Sequence, residues 1–99
     1  MDNEQIVLIA RLKVKADGVE RVKSAALAIV PPSRREAGCI NYDIHQSIED
    51  DTVFFWHETW VNKAAIDQHF DTDFFNEFFK VASELAAEQP QISLTRKIT

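Results

Sequence analysis

Apolar residues recur along this chain in blocks whose spacing alternates between that of a strand and that of a helix. The run Ile6–Val14 is rich in β-branched residues and apolar at nearly every position of its first half, which predicts a strand. Val19, Val22, Ala26, Ile29 and Val30 then follow at helical spacing behind Asp17, a predicted N-cap. Pro31 and Pro32 should end that helix and hold Val30 extended, since neither donates an N–H and each restricts the residue before it. Ser33 to Glu36 has the form of a capping box for one further turn, closed by Gly38. Ile40, Tyr42 and Ile44 alternate with Asn41, Asp43 and His45, the pattern of a half-buried strand. Beyond a polar turn at Glu49–Asp51, Val53–Trp60 reads as a second strand with almost no polar face. A helix capped at or near Asn62 runs to Phe70, and Asp71–Asp73 interrupts it and caps another. In that last helix Phe74, Phe75, Phe78, Phe79, Ala82, Leu85 and Ala86 form one broad apolar stripe. Pro90 follows its end, and Ile92, Leu94, Thr95 and Ile98 mark a final strand.

The resulting order, βαββαβ, is the ferredoxin-like α+β pattern with an antiparallel sheet, taken here as one domain over residues 1–99. That topology places the first and third strands centrally, in agreement with their two-faced hydrophobicity, and the alternating second and fourth at the edges. Its helices cover one face of the sheet only. Val7, Ile9 and one parity of the Val53–Trp60 run would leave an apolar patch on the other face, which a second copy packed sheet to sheet would cover. A homodimer is therefore expected.

Composition removes several classes of function. The net charge is −5, and no basic cluster exceeds Arg34-Arg35 or Arg96-Lys97, which argues against a nucleic-acid partner. Two glycines and three prolines leave no Gly-rich phosphate loop and no Pro-rich linker. The segment from Met1 to Gln5 carries no basic leader, and the apolar run Ile6–Ala10 is too short for a signal peptide or a membrane span. The lone Cys39 has no internal disulfide partner, so a cytoplasmic location is expected. The aromatics change the picture most. Nine of the ten lie between Phe54 and Phe79, leaving only Tyr42 outside. They are either core or the wall of a site.

Candidate chemistry is sparse. His45, His57 and His69 are twelve residues apart each time, so no metal-ligand spacing occurs, and no nucleophile motif is present. His69 lies on the apolar side of its helix with Ala65, Ile66 and Phe70. A buried imidazole there can be held neutral and take a proton, or it can simply bond a backbone carbonyl. Glu58 shares its parity with Phe54, Trp56 and Trp60. It needs a partner, such as Arg11 on the neighbouring strand, or a cavity, because a bare buried carboxylate is costly. Trp56, Trp60, Phe54 and Phe78 could wall a planar ligand or serve as core.

Taken together, Glu36, Gly38, Cys39 and Tyr42 form an E-x-G-C-x-x-Y turn and strand, and Phe54, Glu58 and Trp60 an F-x-x-x-E-x-W strand. Ala65 and His69 add an A-x-x-x-H helix, with Asp73 and Phe74 as a polar break before an aromatic. In this order and spacing the chain resembles the antibiotic biosynthesis monooxygenase (ABM) family. The resemblance implies a dimeric α/β barrel of two ferredoxin-like units with a pocket between helices and sheet. It implies cofactor-independent monooxygenation of a small quinol-like or aromatic substrate by molecular oxygen, with no flavin, haem or metal. It further implies His69 as base, Glu58 orienting His69 or the substrate, and Trp60, Tyr42, Asn41, Phe54, Trp56 and Phe78 as substrate contacts. The haem-degrading branch carries an asparagine on its first strand, and Ile6–Val14 has none. The family also includes an isomerase. Two alternatives therefore stand beside the oxygenase: a cofactor-free isomerase of a small carbonyl compound, and a non-catalytic dimeric binding or stress-response module.

Overall fold

The computed structural model describes residues 4–99; residues 1–3, the start of the segment read above as lacking a basic leader, lie outside the described residues. β1 (Ile6–Lys13) leads through a single 3-10 turn at Ala16–Gly18 into α1 (Val19–Ala28) and α2 (Val30–Arg34). β2 (Cys39–Gln46) and β3 (Val53–Trp60) form a hairpin, followed by α3 (Lys63–Phe70), α4 (Asp73–Leu85) and β4 (Gln91–Thr95). The strands form one antiparallel sheet in the order β2-β3-β1-β4. The central pair is β1 and β3, as the ferredoxin-like pattern requires.

The pairing register fixes which residues share a face. Leu8 lies opposite Glu58, and Glu58 opposite Tyr42, so one row crosses the sheet on the helix side. Ala10, Trp56 and Ile44 make the next row. Val22 and Ala26 of α1, Ile66 of α3 and Phe78 and Ala82 of α4 close over these rows to form the core. On the opposite face stand Val7, Ile9 and Arg11 of β1, Phe55, His57 and Thr59 of β3, and Asn41 and Asp43 of β2. That face is mixed rather than apolar: Ile9 is 46 % exposed and Phe55 37 %, with polar residues between them.

Four local expectations need correction. Asp17 caps no helix; it lies inside the 3-10 turn, and α1 starts behind Gly18 without a side-chain cap. Pro31 and Pro32 sit in the first turn of α2, with Val30 helical rather than extended, because the N–H groups they lack are those a first turn leaves unpaired anyway. Ser33 and Glu36 form no capping box: Ser33 is inside α2 and Glu36 lies beyond its end. Ile40 does not share the buried face with Tyr42. A bulge between Cys39 and Asn41 makes Ile40 the extra residue, and it is exposed. Asn62 and Thr72 do cap α3 and α4, accepting the N–H groups of Ala65 at 2.9 Å and Phe75 at 3.2 Å. No helix among the described residues is long and apolar enough to cross a membrane.

Candidate active site

His69 lies in the last turn of α3, with Ile66 three residues earlier on the same buried face. The Thr72 hydroxyl donates to the His69 carbonyl at 2.8 Å while accepting the Phe75 N–H, which fixes the angle at which α4 departs. Phe75 is thereby laid against the imidazole, ring centroids 5.2 Å apart. Trp60 packs on the imidazole at 4.7 Å and Tyr42 meets it edge-on at 5.5 Å. Nδ1 of His69 lies 2.6 Å from Oε2 of Glu36. Nε2 is buried and has no hydrogen-bond partner among the described residues.

Glu36 reaches His69 because a backbone turn carries it there. Its N–H bonds the Ser33 carbonyl at 3.2 Å, and its own carbonyl accepts from Cys39 at 3.0 Å. The turn can lie against α3 only because Gly38 has no side chain: a Cβ at that position would overlap the Cβ of Ala65. Gly38 is used here for close approach, since no glycine among the described residues has positive φ.

Glu58 is 4 % exposed, and its Oε1 accepts the indole N–H of Trp60 at 2.9 Å. Arg11 is not its partner. That side chain is on the other face of the sheet, 3.3 Å from Glu88. Burial pushes the Glu58 carboxyl up from the ordinary 4.5 to about 7; the Trp60 bond opposes this and the charge of Glu36 adds to it. Burial holds His69 below its usual range, against the bond and charge of Glu36, so the imidazole is neutral at pH 7 and the Glu36 contact is a hydrogen bond rather than an ion pair. Burial, then the charge of Glu58, lifts the Tyr42 hydroxyl above its ordinary range and keeps it a donor. Two proton-carrying groups thus share one aromatic enclosure. The acid has been made weaker and the base less basic, and Trp60 touches both.

A cavity of about 50 Å³ opens beside Glu58, walled by Tyr42, Trp56, Phe75, Phe78 and Phe79. It accommodates a few waters but no aromatic ring, given that benzene occupies engineered cavities of about 150 Å³. Phe75 and Phe79 stack on each other at 5.8 Å on the outer side of α4, and Phe79 is 41 % exposed.

Of the residues singled out from the sequence, Glu58, Tyr42, Trp56 and Phe78 line this cavity. His69 and Trp60 stand behind its wall, in contact with Phe75 and with Glu58 respectively. Phe54 faces the helix layer farther along β3, beside Ala26 and Ile44 at a separate recess. Asn41 points to the opposite face of the sheet, where it donates to Asp43 Oδ2 and to the His57 carbonyl, both at 3.0 Å. His45 and His57 share that opposite face, so the three histidines do not converge. Sequence reasoning missed Glu36 as part of the site, although it was visible as the first residue of the E-x-G-C segment.

Fold and site define a ferredoxin-like α+β protein with a small aromatic-walled cavity that Glu58 lines and behind whose wall His69 is buried. The chain belongs to the antibiotic biosynthesis monooxygenase family, whose model matches residues 5–81. It is 35 % identical over 92 residues to the sll1783 protein of Synechocystis, covering 93 % of this chain and 63 % of that one. It is 35 % identical over 80 residues to YcnE of Bacillus subtilis, whose name marks it as a monooxygenase candidate, covering 81 % of this chain and 84 % of that one. The crystal structure of PA3566 from Pseudomonas aeruginosa superposes with a TM-score of 0.90 at 29 % identity, over 100 % of this chain and 99 % of that one. The chain thus spans less than two thirds of the Synechocystis protein's length.

Proposed function

We propose that this protein is a cofactor-independent monooxygenase of a small phenolic or quinol-like substrate. The observation that carries the proposal is the pairing, across Trp60, of a carboxyl raised to about 7 with a neutral imidazole whose Nε2 is free. Environments that push two titratable groups toward neutrality provide an acid and a base at the same pH. The substrate ring enters by displacing Phe75 and Phe79, which joins the cavity to His69. His69 takes the phenolic proton, and the electron-rich phenolate reduces molecular oxygen and forms a C–O bond at a ring carbon. Glu58 protonates the resulting peroxide. Loss of the ring C–H proton back to Glu58 breaks the O–O bond, and the departing hydroxide leaves as water with the proton held by His69. One phenol and one oxygen molecule become one quinone and one water.

Oxygen uptake with a panel of quinols and hydroxylated polyaromatics tests this. Uptake is expected with at least one of them, and His69→Ala or Glu58→Gln should lower it by about a hundredfold or more. Undiminished uptake in His69→Ala refutes the assignment. One observation favours a second reading, a non-catalytic binding module: the cavity, walled by Phe75, Phe78 and Phe79, measures only about 50 Å³. Ligand binding with no oxygen consumed across the panel would select it, and turnover without oxygen would select an isomerase. We also propose that two copies pack through the open sheet face, where Ile9 and Phe55 are partly exposed.

A further inference from the structure

We infer that Glu36 is the positioning residue of this site: its carboxylate holds the His69 proton on Nδ1 and leaves Nε2 as a bare acceptor inside the aromatic enclosure. This rests on the reading of His69 as the base and adds the residue that prepares it. A neutral imidazole carries one proton, and the nitrogen that holds it is set by the bond the ring makes. Here Nδ1 lies 2.6 Å from Glu36 Oε2, and an ionised carboxylate can only accept. Nε2 is buried among the rings of Tyr42, Trp60 and Phe75 and finds no partner among the described residues.

A buried acceptor left unpaired is rare in native proteins, and a ligand hydroxyl is the kind of group that would satisfy it. Among the described residues Glu58 bonds Trp60 rather than His69, and the carboxylate at hydrogen-bond distance from the imidazole is that of Glu36. The other titratable groups near the pair are Tyr42 and Cys39 on β2 and Glu58 on β3; α4 presents Phe74 and Phe75. Glu36 is joined to His69 across 33 residues of sequence, on a turn with both backbone partners made. The arrangement is that of a preset base.

The test is nitrogen NMR of protein labelled with 15N-histidine, using long-range correlations to ring protons that distinguish the tautomers. The unaltered protein should show His69 neutral at pH 7 with the proton on Nδ1. In Glu36→Ala the proton should move wholly or partly to Nε2. Glu36→Gln keeps an oxygen that can accept, so it should retain the Nδ1 proton yet lower the imidazole's pKa through loss of charge. A proton on Nε2 in the unaltered protein, an unchanged tautomer in Glu36→Ala, or an unchanged His69 titration in Glu36→Gln would each overturn the inference. The Gln variant decides the matter if the Ala variant does not fold. In oxygen uptake, Glu36→Ala should lose about tenfold to a hundredfold in kcat with KM little changed. The NMR measurements need no substrate, so they stand even where no panel compound consumes oxygen.

Discussion

Replacing Glu58 by glutamine removes a carboxyl that burial has raised to about 7, with a consequence for stability whose sign is fixed. Unfolded, the group titrates near the ordinary 4.5; folded, near 7. Between those values the folded chain holds the extra proton, so stability falls as pH rises through the window and the loss is complete above about 7. Below 4.5 both states are protonated and the group contributes nothing. The difference between the two values corresponds to about 3 kcal/mol, undiminished by solvent because the side chain is almost fully enclosed. Glutamine has nearly the same shape, and its oxygen can accept the Trp60 N–H in the same place. Glu58→Gln should therefore change stability little at pH 4 and raise it by about 3 kcal/mol at pH 8, relative to the unaltered protein. For a chain of this size that is about 12–24 °C in Tm. Urea unfolding of both proteins across pH 4–8 measures it, and pH effects common to the two cancel in the difference. The same offset at pH 4 and pH 8 would refute the raised carboxyl. The gain in stability should accompany the loss of oxygen uptake, the trade expected where a group is kept in an unfavourable place for function.

Two further outcomes follow from geometry. Gly38→Ala should destabilise by about 1–3 kcal/mol through overlap with Ala65. Adding Ala65→Gly should recover part of that loss in denaturant unfolding, and strictly additive effects would refute the contact. Sedimentation should give twice the 11.3 kDa chain mass. A stable species at the chain mass would refute packing through the open sheet face.

Much of this molecule could be read from one sequence. Two-faced strands at Ile6–Ala10 and Val53–Trp60 identified the sheet centre, and the observed order β2-β3-β1-β4 places both there. Asn62 and the Asp71–Asp73 break marked helix starts, because such side chains accept N–H groups close by in sequence; within the break it is Thr72 that caps. Parity also put Glu58 with Trp56 and Trp60, and the helical stripe put His69 on the buried side. All of these are local periodicities, in which one residue constrains another a few positions away.

Other features were decided only when the chain closed on itself. The prolines at 31 and 32 start a helix rather than merely ending one, since a short second helix found room against β2. The bulge at Ile40 reset the strand's phase, which pattern alone extends unbroken. Asn41 was expected at the pocket, yet its neighbour Tyr42 takes the helix face, and alternation turns Asn41 away. The partner of His69 is Glu36, not Glu58. The choice depended on Gly38 letting a turn lie against α3, a meeting of two segments some thirty residues apart that no spacing in the sequence encodes. Sequence by itself determined the order of elements and the faces of the strands, because those follow from short-range geometry. The tertiary structure decided which acid meets which base and how much space remains between them, because those depend on close packing among residues far apart in the chain.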